Sequence, residues 1–187
     1  MALSLSELES DLLDGFNAGL EGASVREAAQ YFAFAIVAYA SSAEVVIAPG
    51  PVLIPGAPPV PSSANGQKVS VQTHETGKNL LWDAIEANFV AQDKTMSIAA
   101  AGIVAYAAGA FTLFSGGGNT VAGAAAMPPP LIQALEGAIP PGLAGGTTEE
   151  QAALFAKIIH AAFKSTVFSG VCTASDGGFG PVVGTLI

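Results

Sequence analysis

The side chains able to do chemistry are few: two histidines (His74 and His160), one cysteine (Cys172), 15 acidic residues and six basic ones, with Arg26 the single arginine. His160 stands three residues after Lys157 and four before Lys164, so the three share one helical face, and a solvated polar face accounts for them. His74 precedes Glu75 in a polar, turn-like stretch. Two imidazoles, one thiol and no cluster of carboxylates leave a metal centre dependent on ligands shared between subunits, so neither metal nor cofactor is expected. Asp83 and Glu86 lie on an otherwise apolar helix, where a polar outer face explains both. The run Ser115-Gly116-Gly117-Gly118-Asn119-Thr120 lacks the Lys-Ser/Thr ending of a phosphate loop and follows no obvious strand; it reads as a hinge or helix break. No Gly-x-Ser-x-Gly elbow occurs, and Cys172 has no histidine near it in sequence. No catalytic residue, and no small-molecule substrate, is therefore assigned. The rival enzyme reading needs a site shared between subunits and built from His74, His160 and Cys172, since catalytic partners can be distant in sequence.

Composition says more than motifs do. Of 187 residues, 51% are hydrophobic and only 11% charged, against a usual charged share of about 25%. Such a chain has too little charge to cover its own surface, which predicts cover by copies of itself, another protein or lipid. The net charge of −9 and the scarcity of Lys and Arg argue against nucleic acid and against an anionic membrane surface. The opening Met1-Ala2-Leu3-Ser4-Leu5 has no basic region and no early apolar run, so synthesis in the cytoplasm is expected. A lone cysteine excludes an intrachain disulfide.

Five regions must carry these side chains: 1–44 with N-terminal helices, 45–78 with a proline-rich arm and short strand, 79–126 as a central apolar helix region, 127–146 as a Pro/Gly-rich connector, and 147–187 with a helix and β tail, all in one assembly domain. Leu5, Leu8, Leu12, Leu13 and Phe16 follow helical spacing, with Glu7, Glu9, Asp11 and Asp14 opposite. Ser24 with Glu27, and Thr147 with Glu150, are capping boxes that start two further helices. The first of these has no polar residue over 31–40 except tyrosine hydroxyls, which predicts burial all round. Val45-Val46-Ile47 argues for extended chain, and 49–61 holds six of the 12 prolines in an apolar stretch read as an arm lying on a surface. Lys68 to Thr73 alternates as a short strand does, 131–138 reads as a short helix, and Asp176-Gly177-Gly178 reads as the turn of a hairpin. Aligning Thr147 with Ser24 matches Phe155 to Phe32 and Ile159 to Ile36, which fits an internal duplication of helix plus strand and equally fits chance likeness between Ala-rich helices.

The stretch 79–114 is the element around which the chain is organised. No charge occurs between Lys94 and Glu136, and Ile103-Val104-Ala105-Tyr106-Ala107 repeats the string Ile36-Val37-Ala38-Tyr39-Ala40. The uncharged run 98–114 has 17 residues, at the short limit of a membrane span of about 17–25. Alanine contributes little to insertion, no basic cluster flanks the run, and Trp82 lies a helix-length upstream, so a buried or subunit-interface helix is the expectation and a membrane-inserted pore or lysis-type protein the alternative.

The acidic opening Leu5-Ser6-Glu7-Leu8-Glu9-Ser10-Asp11-Leu12-Leu13, the capped helix Glu27-Ala28-Ala29-Gln30-Tyr31-Phe32-Ala33, the proline-rich arm and the closing Thr166-Val167-Phe168-Ser169-Gly170 with its Gly-rich apolar end resemble small virion structural proteins of tailed bacteriophages. The likeness is one of texture across most of the chain, with no diagnostic motif. It implies a non-enzymatic tail, baseplate or neck component, located in the virion, self-associating and bound to other virion proteins. The expected fold class is mainly α: an Ala-rich bundle of three to four helices with short β segments and a proline-rich extended arm. Phe32, Ile36, Tyr39, Trp82, Ile103, Tyr106 and Phe155 are the expected packing and interface residues.

Overall fold

The structure, a computed structural model, describes residues 3–93, 96–127, 133 and 146–187. Three helices start at side-chain caps. Ser4 accepts from the Glu7 N–H ahead of α1 (Leu5–Leu20), and reciprocal capping boxes open α2 (Val25–Ser41) at Ser24/Glu27 and α5 (Thr148–Ser165) at Thr147/Glu150. The central stretch divides into α3 (Lys78–Ala91) and α4 (Ser97–Ala110). Between them the chain turns through left-handed backbone at Gln92 and Met96. The buried Asn88 amide donates to the Asp93 carbonyl, and the Asp93 carboxylate accepts from the Ser97 N–H and hydroxyl, which fixes the start of α4. The helices pack in the spatial order α5-α1-α2-α3-α4.

Eight strands make one sheet: β1 (Glu44–Val46), β2 (Leu53–Ile54), β3 (Val60–Pro61), β4 (Lys68–Val71), β5 (Leu113–Gly116), β6 (Asn119–Ala126), β7 (Val167–Thr173) and β8 (Phe179–Thr185). Their order is β1-β4-β5-β6-β7-β8-β2-β3, with antiparallel pairing throughout. The sheet curls into a half-barrel, and one corner closes where Glu44 and Ile187 exchange backbone hydrogen bonds of 3.2 and 3.0 Å, the mark of an antiparallel pair.

Helices and sheet share one core. In the helical layer Phe16, Phe32, Phe89 and Phe155 pack edge to face. A second aromatic series, Tyr39–Phe163–Phe111–Phe114–Phe168, runs from α2 and α5 into the concave face of the sheet. There the Phe168 ring lies along Gly170 and its cross-strand partner Gly123; a Cβ at either glycine would come within 2.8 Å of the ring. Only glycine leaves room for the ring on the pleat. Gly102 plays the same part between helices, since a Cβ there would sit 2.4 Å from the Ala84 Cβ.

Four expectations are corrected. The fold is not a mainly α bundle of three to four helices: five helices are described, and they pack on an eight-stranded sheet. Residues 98–114 are not one helix. α4 ends at Ala110, and Leu113 opens β5; 14 helical residues span about 21 Å, short of a bilayer core of about 30 Å. No described helix is long and apolar enough to cross a membrane. The glycine run 115–120 is a hairpin, with Gly117 and Gly118 at positive φ between β5 and β6, and the Ala-rich 119–126 is a strand. Helix α2 is not buried all round, because Tyr31, Phe34 and Ala38 face outward. The short helix expected over 131–138 lies outside the described residues, apart from the single residue 133.

Candidate interaction surfaces

The residues with catalytic potential sit in separate surroundings. The Tyr39 hydroxyl and His160 Nδ1 are 2.7 Å apart, joining α2 to α5. Burial, with Lys164 nearby, holds the imidazole below its usual pKa, so the neutral ring accepts from the hydroxyl, and burial pushes the tyrosine well above its usual value. This pairing places His160 in a polar contact between helices, whereas Lys157 and Lys164 remain exposed. His74 lies in the turn before α3, its carbonyl accepting from the Tyr106 hydroxyl and its Nε2 3.6 Å from Glu75. Cys172 is buried on the concave face of β7, where burial raises its thiol pKa and keeps it protonated. No hydrogen bond or ion pair joins any two of these three. Among the described residues, no three His, Cys, Asp or Glu side chains converge as metal ligands.

Asp83 and Glu86 are both engaged by Arg26, whose guanidinium also lies 4.3 Å from the Trp82 ring centroid. The Trp82 indole N–H donates to the Arg26 carbonyl. Lys78 sits over Phe34, which meets Trp82 edge-on, so this outer seam of α2 and α3 alternates cation and ring.

The residues picked for packing lie inside the chain. Phe32, Ile36, Tyr39, Ile103, Tyr106 and Phe155 are buried and contribute to the one core; Trp82 is partly buried at its rim. Contacts with other molecules must therefore use different side chains.

Charge and exposed apolar surface are segregated. The helices carry the acids: Glu7, Glu9, Asp11 and Asp14 crowd α1, where partial burial and the neighbouring Asp14 and Glu7 raise the Asp11 carboxyl. In the described strands the charges are Glu44 and Lys68, 3.4 Å apart. Strands β5 to β8 carry none. On β7 and β8 alternate residues turn outward, and the register sets Val167 opposite Thr185, Ser169 opposite Val183, Val171 opposite Pro181 and Thr173 opposite Phe179. Ala122, Ala124 and Ala126 continue this face on β6. Phe179 is 61% exposed and Val183 60%.

The proline-rich arm leaves the edge of this face. Its base is held firmly: Leu53 pairs with Phe179, Pro51 crosses β8 over Gly180 with no room for a side chain, and Asn65 bridges Val52 and Ser62. The Asp176 carboxylate accepts from the Ser62 hydroxyl, the Ser63 N–H and hydroxyl, and the Gly178 N–H. These donors, those of Ser63 foremost, hold Asp176 at a pKa of about 2. From this base β2 and β3 project as a hairpin whose residues 55–61 are all exposed and uncharged.

An open cleft of about 600 Å³ lies where α1 turns into α2, lined by Glu21, Gly22, Glu27, Gln30, Tyr31 and Phe34 among others. No family model, no curated protein and no solved structure matches this chain.

Proposed function

We propose that the chain is a structural subunit of a large assembly, working by packing against copies of itself and neighbouring proteins. One observation carries this: the convex face of β6 to β8, with the arm beside it, is apolar and wholly uncharged yet exposed, on a chain whose charge lies on its helices. Antiparallel sheets with one free face usually alternate apolar inward and polar outward. Here Val171, Phe179 and Val183 are as apolar as the buried Phe168, Cys172 and Val182 between them, so both faces are built for cover. Mutual repulsion between chains of net charge −9 also favours approach through the uncharged side. The narrower reading, a virion component of a tailed bacteriophage in its tail, baseplate or neck, is supported by the sequence resemblance alone.

Sedimentation over a wide range of protein concentrations tests the assembly reading. A mass rising to a defined multiple of the single chain, lowered by Phe179→Asp with the fold retained, is expected. A single-chain mass at every concentration would overturn it.

A further inference from the structure

Resting on that reading, we infer that one joint between copies is formed by the proline-rich arm of one chain seated in the Tyr31–Phe34 cleft of the next. The two surfaces are complementary in hydrogen bonding. The arm tip, 55–59, is Pro-Gly-Ala-Pro-Pro; its three prolines have carbonyl acceptors and no N–H. No backbone hydrogen bond engages those five residues, and all are exposed. The cleft offers the opposite: among the described residues, nothing accepts from the Tyr31 hydroxyl or the Gln30 amide.

They are also complementary in shape and charge. Tyr31 is half exposed, and its ring and that of Phe34 give the cleft an aromatic wall. Extended proline-rich segments dock on such walls because they are stiff before binding and lose little entropy. Glu21 and Glu27 stand at the cleft, so an acidic segment is repelled there, while the arm carries no charge. Glu27 is already committed, accepting from the Ser24 N–H and hydroxyl, and does not compete for Tyr31 or Gln30. No arm residue lines the cleft of its own chain. Arm and cleft are different surfaces, so the contact is head to tail, and repetition closes a ring or extends a filament.

The test uses the full chain and two variants that spare the core. Tyr31→Ala removes an exposed ring and leaves a good helix former. Pro59→Asp puts a carboxylate on the arm to face Glu21 and Glu27. Each variant alone is expected to stay a single chain in sedimentation under conditions where the native chain associates. Mixed in equal amounts they are expected to form a two-chain species and stop there, because the pair holds one intact arm and one intact cleft. A peptide copying residues 52–62, titrated against Trp82 fluorescence, is expected to bind Tyr31→Ala at least about tenfold more weakly than the native chain, as for an aromatic anchor. Variants that assemble as the native chain does would overturn the joint and leave the assembly reading standing. A native chain that never associates would overturn both.

Discussion

The helical layer and the sheet each present an outer surface, and the two follow opposite chemistry. Helices α1, α3 and α5 cover apolar inner faces with Glu, Asp and Lys outside, so each is complete once packed in its own chain. Strands β7 and β8 bury Phe168, Cys172 and Val182 on one side and expose Val171, Phe179 and Val183 on the other. A sheet with two apolar faces is only half satisfied by its own helices. The contrast teaches where to look for partners: the acids of the helical layer solubilise, and the uncharged sheet and arm remain for contact.

Substitutions can break or sharpen that contrast. The largest effect is expected inside the sheet. Phe168→Ala should cost about 3–5 kcal/mol in denaturant unfolding, because the ring fills the space over Gly123 and Gly170. Gly102→Ala should cost about 1–3 kcal/mol by forcing α3 and α4 apart at Ala84, and a thermal melt unchanged from the native chain would contradict that close approach. Tyr39→Phe should cost about 1 kcal/mol at neutral pH by removing the hydrogen bond to His160. Since the folded pKa of His160 is depressed, the unfolded chain takes the proton first. Stability from this group is therefore full above about pH 6.5 and falls as the pH drops below it, which melts across that range should register.

Asp176 titrates lower. Its folded pKa of about 2 lies under the unfolded value of 3.8, so its contribution is present above that value and lost as the pH falls toward 2. Asp176→Asn should flatten this part of the acid unfolding curve relative to the native chain. The smallest stability effect belongs to the outer face: Val183→Asp should change folding by no more than about 0.5 kcal/mol while weakening association in sedimentation about tenfold or more. An equal loss of folding stability there would mean that the outer face serves the fold, not contact.

Local chemistry made parts of the chain legible in advance. Ser24 with Glu27, and Thr147 with Glu150, mark helix starts because both cap partners lie three residues apart and need nothing distant. Asp176-Gly177-Gly178 marks a turn for the same reason, with Gly177 at positive φ. The alternating burial of α1 follows from its leucine spacing. The proline-rich arm was visible as extended and apolar, but not its anchoring by Asn65 and Asp176, which depends on residues up to 114 positions apart.

The amino-acid sequence by itself determined where helices begin, where the chain cannot be helical, and that charge is too scarce to cover the whole surface. Tertiary structure alone decided the rest. Ala122 to Ala126 has the composition of a helix and became strand because β5 and β7 flank it with backbone partners, and helix propensity is too small to outweigh a paired ladder. Residues 98–114 have no internal period to show that helix gives way to strand after Ala110. The candidate contact surface was hidden for a related reason. Phe168 and Val167 are both apolar, and only the pairing register and the helices beneath it settle which is buried and which faces out.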